Sequence, residues 1–279
     1  MGRSYFVTGG TGFIGREIVR QLLTIPNTDS VVCLTRGHRT DLLEHPKLSY
    51  HVGDVTECEF PKRHFTDLIH GANEANDLLF HDFHKTYYTI VEGTARIMQW
   101  AYKNAERRLI LSSGAASRDT IYGRAKRRSE EISHQYRGNT KIARIFSVIG
   151  EEMPLNGRFA AGKFVWQAIN EGRVEYYGGD SVRTYLHVSD CAAWLLRVLQ
   201  SGSPLIPYDV AGDTQITVAE LAKIVADVFG VPLVKADGPA RVDSYAPKIK
   251  RSIELGCSQT LSIEQSLRRV HAHLCHSDA

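Results

Sequence analysis

The sequence predicts an α/β protein built on a doubly wound parallel sheet, with a smaller C-terminal domain. In the first 150 residues, short apolar runs such as 5–7 and 31–34 alternate with amphipathic stretches such as 13–23. Such alternation favours a parallel sheet that carries helices on both faces. After Gly150, glycine and proline separate shorter elements. This change in texture indicates a second region.

The other elements follow from the same periodicities. The sequence predicts strands at 48–52, 68–69, 109–111 and 142–148, and helices at about 85–102, 122–136, 189–199 and 217–229. The last of these helices has a start signal, because Glu220 follows Thr217 by three residues. We expect the main domain to comprise residues 1–147 and 184–208. The smaller domain is expected to comprise 148–183 and 209–279.

The composition is that of an ordinary globular chain and argues against nucleic acid as a partner. Of the 279 residues, 43% are hydrophobic and 23% are charged, and the net charge is only +3. Lys and Arg are not concentrated in one segment, whereas a nucleic-acid footprint needs a broad basic face or a recognisable module. Small anionic ligands remain compatible with this charge.

The cysteines and the apolar runs indicate a reducing, cytoplasmic setting. The five cysteines are scattered and form no C-x-x-C pair, which argues against a disulfide framework and a zinc site. The strand predicted at 5–8 leaves no room for a signal peptide, and no apolar run reaches the ~20 residues of a membrane span. We therefore expect a cytoplasmic protein without a membrane contact.

Two groups of histidines invite a metal interpretation. One is His81 with His84, and the other is the tail 271–276, which includes Cys275. The tail spacing is not that of a known zinc arrangement, and terminal residues are commonly mobile. The sequence therefore predicts no metal site.

A glycine-rich loop follows the first predicted strand and opens the first predicted helix. Gly10, Gly12 and Gly15 satisfy G-x-G-x-x-G, and Gly9 adds a second spacing of three residues. Glycine is needed where the turn is tight, the backbone approaches a pyrophosphate and the helix packs on its strand. The helix N-terminus then offers N–H groups to phosphate. This context predicts a Rossmann-type NAD(P)-binding domain.

The residue after the second strand bears on the choice of dinucleotide. An NAD site usually carries an acidic residue there, for the ribose 2′-hydroxyl. This chain has Arg36, which suits a 2′-phosphate and slightly favours NADP, although an exposed loop arginine is the alternative.

Tyr122 and Lys126 lie four residues apart, and so on one face of the same predicted helix. A nearby cation favours phenolate over phenol, so Tyr122 could exchange a proton with a substrate hydroxyl or carbonyl. Ser113 ends the preceding strand, where ligands bind in open α/β sheets. These three residues are the predicted catalytic group.

Several further runs are in register with these motifs. With the motifs, they are 8–15, 53–55, 90–94 (Ile-Val-Glu-Gly-Thr), 111–115, Tyr122 with Lys126, 144–150 and 179–190. In these runs the chain resembles the extended short-chain dehydrogenase/reductase superfamily, in its NAD-dependent epimerase/dehydratase branch that modifies nucleotide sugars. The resemblance covers nearly the whole chain.

The resemblance implies roles for individual residues. Asp54 and Val55 would contact the adenine, and Ala72 and Lys126 the nicotinamide ribose. The other predicted cofactor contacts are Gly9, Thr11, Gly12, Phe13, Ile14, Gly15, Arg36 and Tyr122. Ser113 would hydrogen-bond the reacting oxygen. The predicted substrate contacts are Ser113, Ser147, Arg183 at the pyrophosphate and Arg241 as a weaker candidate. For Asp54 and Ser113, the alternatives are a turn residue and a strand-end cap.

Two departures from the family pattern concern the substrate. Ser147 stands where the family usually has Asn. Family dehydratases look to carry an Asp-Glu pair directly after the active-site Ser or Thr, whereas this chain has Gly114 and Ala115. Elimination needs proton donors beyond Tyr122, so dehydration is the least favoured of the family's reactions. The segment between Ser113 and Tyr122 is also shorter than usual, so the pocket is altered.

The resemblance implies a nucleotide-sugar epimerase or 4-ketoreductase, in which hydride moves at the sugar C4 and Tyr122 handles the proton. A dehydratase or decarboxylase of the same family is the alternative. A non-catalytic dinucleotide-binding redox sensor is a second alternative, although it would not need Ser113, Tyr122 and Lys126 together. We also expect a homodimer formed through the two long helices at about 85–102 and 122–136.

Overall fold

The structure is a computed structural model that describes residues 2–37, 41–73, 83–136, 138–155, 159–238 and 247–277. Its helices are α1 (Phe13–Thr24), α2 (Phe83–Asn104), α3 (Ile121–Gln135), α4 (Ala160–Asn170), α5 (Val188–Ser201), α6 (Val218–Phe229), α7 (Lys250–Glu254) and α8 (Ile263–Ser277), with a 3-10 helix at Gly114–Ser117. Its strands are β1 (Arg3–Thr8), β2 (Thr28–Thr35), β3 (Leu48–Val52), β4 (Phe65–His70), β5 (Ala105–Ser113), β6 (Thr140–Ile145), β7 (Ser147–Ile149), β8 (Val174–Tyr176), β9 (Val182–His187), β10 (Pro207–Val210), β11 (Gln215–Thr217) and β12 (Leu233–Lys235).

The chain divides into two compact units. The first comprises Met1–Ile145, Ala192–Val210 and Lys250–Cys257. The second comprises Phe146–Cys191, Ala211–Ile249 and Ser258–Ala279.

The first unit contains a seven-stranded sheet in the order β10-β6-β5-β4-β1-β2-β3. All of its strand pairs are parallel. The order reverses direction between β1 and β4, because the chain runs outward to β3 and then returns to the other side of β1. In such sheets, ligands bind outside the carboxyl ends of the strands at this switch point. The predicted doubly wound, Rossmann-type fold is confirmed.

An aromatic cluster fills the core beneath one face of this sheet. Phe6 from β1 stacks on Phe65 from β4, with ring centroids 5.4 Å apart. Trp100 from α2 packs edge-on against Phe6 at 5.1 Å. Buried Leu68, Ile97 and Met98 complete the contact. Burying rings and aliphatic side chains of this size stabilises the packing of α2 on the sheet.

The second unit has two small sheets, β11-β9-β7 and β12-β8. Helix α6 begins with the predicted capping box, in which Thr217 and Glu220 each bond the other's backbone N–H. It ends at Gly230, whose φ of +66° is the left-handed conformation that glycine adopts most easily. The sequence pattern thus gave the start and end of α6 to within a residue. The predicted strand 142–148 is instead two strands, β6 and β7.

Candidate active site

The glycine loop joins the end of β1 to α1 with very close backbone contacts. Gly9 has a φ of +77°, and a Cβ there would lie 2.6 Å from the carbonyl carbon of Gly71, just after β4. A Cβ on Gly15 would lie 2.0 Å from the carbonyl oxygen of Gly9. Only glycine allows both approaches, so the sequence motif has a steric cause in this fold.

The N-terminus of α1 suits a phosphate group. Its N-cap is Gly12, which makes no side-chain capping bond, and the fully described first turn of α1 contains no acidic residue. The first N–H groups of a helix lack partners within the helix and carry a partial positive charge. A Cβ on exposed Gly12 would meet only Gly9 oxygen, at 3.5 Å. The start of α1 at Gly12 is therefore open to a pyrophosphate, and the residues present fit a dinucleotide.

Charged residues follow β2 and lie in the first turn of α1. Arg36 directly follows β2 and is exposed. Arg16, in the first turn of α1, is paired with Asp41 at 3.2 Å and also donates to the Asp41 backbone carbonyl. The negative charge of Asp41 thus offsets the positive charge of Arg16 beside the glycine loop.

Asp54 and Val55 form the turn after β3. The Asp54 carboxylate accepts hydrogen bonds from the Thr56 backbone N–H at 2.8 Å and from the Thr56 hydroxyl at 2.6 Å. Val55 is buried in the aromatic core cluster and contacts Gly93 of α2. The turn role that the sequence left open for Asp54 is therefore present in the structure.

Helix α3 holds Tyr122 and Lys126 against the end of β5. The Lys126 ammonium donates to the Leu111 carbonyl oxygen at 3.1 Å and lies 5.7 Å from the centre of the Tyr122 ring. A Cβ on Gly123 would lie 2.4 Å from the carbonyl oxygen of Ala115, in the 3-10 helix. The first turn of α3 thus packs directly on the segment that follows Ser113.

Lys126 is only 4% exposed, and burial lowers the pKa of its amine to about 8. The nearby Glu130 carboxylate opposes this shift. Burial-shifted amines occur often at functional sites, so Lys126, beside a tyrosine at the carboxyl end of the sheet, is a candidate site residue.

Ser113 caps the 3-10 helix that follows β5. Its hydroxyl oxygen accepts the Ala115 backbone N–H at 3.2 Å. The strand-end cap that the sequence left open is therefore present. This cap does not use the hydroxyl proton, because the oxygen acts as the acceptor, so the Ser113 side chain can still donate a hydrogen bond.

The buried face of α3 is polar, which hydrophobic patterning did not predict. Glu130 accepts hydrogen bonds from the Ser112 hydroxyl at 2.6 Å and from both arms of the Arg144 guanidinium, at 2.9 and 2.6 Å. The hydrogen bonds to Glu130 also raise the pKa of Arg144. The sequence does show polar residues at helical spacing on this face, namely Lys126, Ser129 and Glu130, and the structure shows that all three are buried.

Apart from Ser113, which ends β5 in the first unit, the predicted substrate residues fall in the second unit or outside the described residues. Ser147 begins β7 and Arg183 lies on β9, and these two strands pair in parallel. One arm of the Arg183 guanidinium donates to the Val182 carbonyl at 2.9 Å. Arg241 and His81 lie outside the described residues.

Within the described residues, no three His, Cys, Asp or Glu side chains are grouped as metal ligands would be. In the same part of the chain, no helix is both long and apolar enough to cross a membrane.

A parallel sheet with a glycine loop at its switch point and a Tyr–Lys helix beside it defines a class of dinucleotide-dependent proteins. The family model for the NAD dependent epimerase/dehydratase family matches residues 5–211. The chain belongs to this family.

Its curated relatives are enzymes. UDP-glucuronic acid decarboxylase 2 of Arabidopsis thaliana is 27% identical, over 80% of this chain and 56% of that protein. UDP-glucuronic acid decarboxylase 1 of the same plant is also 27% identical, over 95% of this chain and 68% of that protein. The chain thus spans little more than half the length of the first of these relatives.

Solved structures share the fold. The Bordetella bronchiseptica enzyme WbmF in complex with NAD+ superposes with a TM-score of 0.83 at 19% identity, covering 99% of this chain and 95% of that one. The dTDP-glucose 4,6-dehydratase DesIV of Streptomyces venezuelae, with NAD and TYD bound, gives 0.85 at 23% identity, covering 98% and 97%.

Proposed function

We propose that this chain is an NAD(P)-dependent nucleotide-sugar epimerase or 4-ketoreductase, in which a hydride moves at the sugar C4. The observation that carries the proposal is the packing of the Tyr122–Lys126 turn of α3 against β5. There the Lys126 amine donates a hydrogen bond to the Leu111 carbonyl oxygen at 3.1 Å. The glycine loop lies at the carboxyl end of β1 in the same sheet. The proposed catalytic and cofactor residues therefore share one edge of one unit.

The dinucleotide would bind along the carboxyl edge of this sheet. Its pyrophosphate would bind the N–H groups at the start of α1, from Thr11 to Gly15, including those of Phe13 and Ile14. Asp54 and Val55 would lie at the adenine and Ala72 at the nicotinamide ribose, which Tyr122 and Lys126 would also contact.

The observations divide on the choice of dinucleotide. The Arg36 guanidinium supports NADP, whereas the NAD bound in the solved structures and the negative charge of Asp41 support NAD.

We further propose that the smaller domain, residues 148–183 and 209–279, binds the sugar nucleotide. Ser147, Arg183 and Arg241 would provide contacts to it. A guanidinium fork such as that of Arg183 matches the geometry of pyrophosphate oxygens. The UDP and dTDP in the names of the similar proteins support a nucleoside diphosphate sugar as the ligand class.

When bound, the oxidised nicotinamide supplies a hydride acceptor for C4. Tyr122 would take the proton of the C4 hydroxyl as the ketone forms and return a proton when the ketone is reduced. The Lys126 ammonium favours the phenolate because it places a positive charge near the ring. Ser113 would donate a hydrogen bond to the C4 oxygen and so stabilise the charge that develops there.

A decarboxylase is the second candidate, because the curated relatives reported above decarboxylate UDP-glucuronic acid. Oxidation at C4 of a glucuronic acid gives a ketone β to the carboxylate, and β-keto acids lose CO₂ readily. This reaction requires the same first step and the same Tyr122. Dehydration requires more, because elimination needs additional proton donors and the 3-10 helix after Ser113 begins with Gly114 and Ala115.

Mass spectrometry of the purified protein and its products separates these reactions. A tightly retained dinucleotide that is regenerated in each cycle supports an epimerase, whereas stoichiometric oxidation of NADPH supports a reductase. A product lighter by CO₂ supports the decarboxylase. In a panel of sugar nucleotides, Tyr122→Phe should retain ligand binding and lose turnover. Unchanged binding together with unchanged turnover would contradict the catalytic assignment of Tyr122. A wild-type protein that binds the dinucleotide and turns over none of the sugar nucleotides would favour a redox sensor.

We also propose a homodimer formed through α2 and α3. Light scattering that gives the mass of two chains supports this assembly, and the mass of one chain contradicts it.

A further inference from the structure

Four buried polar side chains form a continuous hydrogen-bonded chain through the first unit. They come from β1, β4, α2 and α3, and they are Thr8, His70, Thr94 and Ser129. Each is 4% exposed or less. Burying four polar groups is costly unless each finds a partner, so these contacts are a specific feature of this interior.

The chemistry of the partners fixes the direction of the bonds on the helical side. The Thr94 hydroxyl donates to the Ile90 carbonyl oxygen at 2.7 Å, because a carbonyl can only accept. The Thr94 oxygen is then an acceptor for the Ser129 hydroxyl at 2.9 Å and for His70 Nε2 at 3.2 Å. This arrangement requires a proton on His70 Nε2.

The bonds on the strand side then follow. With its proton on Nε2, neutral His70 accepts at Nδ1, so the Thr8 hydroxyl donates to it at 2.7 Å. The Thr8 oxygen in turn accepts the backbone N–H of Ala72 at 3.2 Å. Burial and the nearby Lys126 charge lower the pKa of His70 to about 3, which agrees with the neutral ring that the geometry requires.

We propose that His70 is a positioning residue that links the dinucleotide-binding loop to the helix that carries Tyr122 and Lys126. On one side it is bonded to Thr8, which directly precedes the glycine loop and holds Ala72. On the other side it is bonded through Thr94 to Ser129, one helical turn after Lys126. The linkage role rests on the proposed function, since it sets the ribose contact relative to the catalytic pair. The linkage also explains the threonine that ends the Ile-Val-Glu-Gly-Thr run, because the Thr94 hydroxyl joins His70 to Ser129.

Histidine suits this position because it is rigid and has a donor and an acceptor on opposite sides of one ring. Asn can place an acceptor near the position of Nδ1, and Gln can place a donor near that of Nε2. His70→Asn is therefore expected to retain the Thr8 bond, and His70→Gln the Thr94 bond. Dinucleotide affinity should survive better in the first variant and kcat in the second. Equal losses of both quantities in the two variants would contradict the linkage.

The tautomer of the His70 ring can be measured in the protein without any ligand. Nitrogen NMR of the labelled, dinucleotide-free protein at neutral pH should show His70 as the neutral tautomer with its proton on Nε2. Thr94→Val should shift the His70 Nε2 signal. A protonated ring or the Nδ1–H tautomer would overturn the proposal.

A double-mutant cycle tests the linkage in function. Thr8 and Ser129 are joined through His70 and Thr94, so Thr8→Val and Ser129→Ala should be non-additive in kcat/KM by about fivefold or more. Thr28→Val is the matched control, because Thr28 is equally buried at the start of β2 and bonds the Leu22 carbonyl oxygen. Thr28→Val with Ser129→Ala should be additive.

Two different results distinguish failure of the proposed function from failure of the His70 linkage. If the wild-type protein binds neither NAD nor NADP, the proposed function is wrong. If the wild-type protein binds and turns over but the Thr8–Ser129 cycle is as additive as the control, the linkage is wrong and the proposed function stands.

Discussion

The amine of Lys126 lies 3.1 Å from the carbonyl oxygen of Leu111, so a buried charge joins α3 to β5 two residues before Ser113. This bond holds the Tyr–Lys helix to the edge of the sheet where the glycine loop also lies. It also makes the protein's stability sensitive to the protonation of one amine, because that amine is removed from water.

The contribution of Lys126 to the stability of the dinucleotide-free protein should rise with pH above about 8. Burial lowers the pKa of Lys126 from 10.5 to about 8. Between these values the unfolded chain still holds a proton that the folded chain has released, so unfolding becomes less favourable as pH rises. Above 10.5 both forms are neutral and the gain is complete, at about 3 kcal/mol. Lys126→Met should lack this component in denaturant titrations, and parallel pH profiles for the two proteins would contradict the assignment.

Glu130→Gln should lower the pKa of Lys126 further, because the Glu130 charge raises it in the native protein. The substitution also replaces the carboxylate that accepts two hydrogen bonds from Arg144 with a neutral amide, and loss of such charged hydrogen bonds is expected to cost about 2 kcal/mol. NMR titration of the Lys126 side chain measures the first effect and denaturant unfolding the second. Glu131→Gln is the control, because Glu131 pairs with Arg128 on the surface. An equal response in both variants would show that Glu130 has no special influence.

Gly15→Ala and Gly12→Ala should separate folding from ligand binding. A Cβ on Gly15 would lie 2.0 Å from Gly9 oxygen, so Gly15→Ala should cost about 3 kcal/mol of stability. A Cβ on Gly12 finds nothing closer than 3.5 Å, so Gly12→Ala should change stability by less than about 1 kcal/mol. Because that methyl occupies the open face of the loop, Gly12→Ala should still weaken dinucleotide binding at least tenfold. Calorimetry checks both, and unimpaired binding by Gly12→Ala would place the pyrophosphate elsewhere.

The choice between NAD and NADP should respond to two substitutions in opposite directions. Arg36→Ala should reduce the affinity for NADP and spare that for NAD, because only NADP has a 2′-phosphate for a guanidinium. Asp41→Asn should raise the ratio of NADP to NAD affinity, since it removes a negative charge 3.2 Å from the Arg16 guanidinium. Asp227→Asn, at a surface pair on α6, should leave the ratio unchanged. If neither Arg36→Ala nor Asp41→Asn changes the ratio of NADP to NAD affinity, neither residue influences the ribose site.

Much of the fold could be predicted because its signals are local. The glycine loop, the alternation of strands and helices and the Thr217–Glu220 capping box each depend on residues close in sequence. The seven-strand order and the split of residues 142–148 into β6 and β7 depend on pairing between distant strands, which local periodicity does not encode.

The candidate site divides in the same way. Helical spacing predicts that Tyr122 and Lys126 share one face of a helix, and in the structure the Lys126 amine lies 5.7 Å from the centre of the Tyr122 ring. The positions of His70, Ser129 and Glu130 do not follow from local spacing, because a polar residue on a buried helix face or strand looks unfavourable until its partners are known. Those partners, such as Thr94 for Ser129 and Arg144 for Glu130, are 35 and 14 residues away.

The most direct test of the central claim is a single-turnover reaction of the dinucleotide-loaded protein with nucleotide sugars that carry deuterium at C4. The epimerase, the decarboxylase and the reductase run in its oxidative direction all begin by removing that atom, so mass spectrometry of the rapidly quenched dinucleotide should find the deuterium on the nicotinamide. Tyr122→Phe should bind the same sugar and transfer far less. Binding of dinucleotide and sugar without any deuterium on the nicotinamide, across UDP- and dTDP-sugars, would contradict the account.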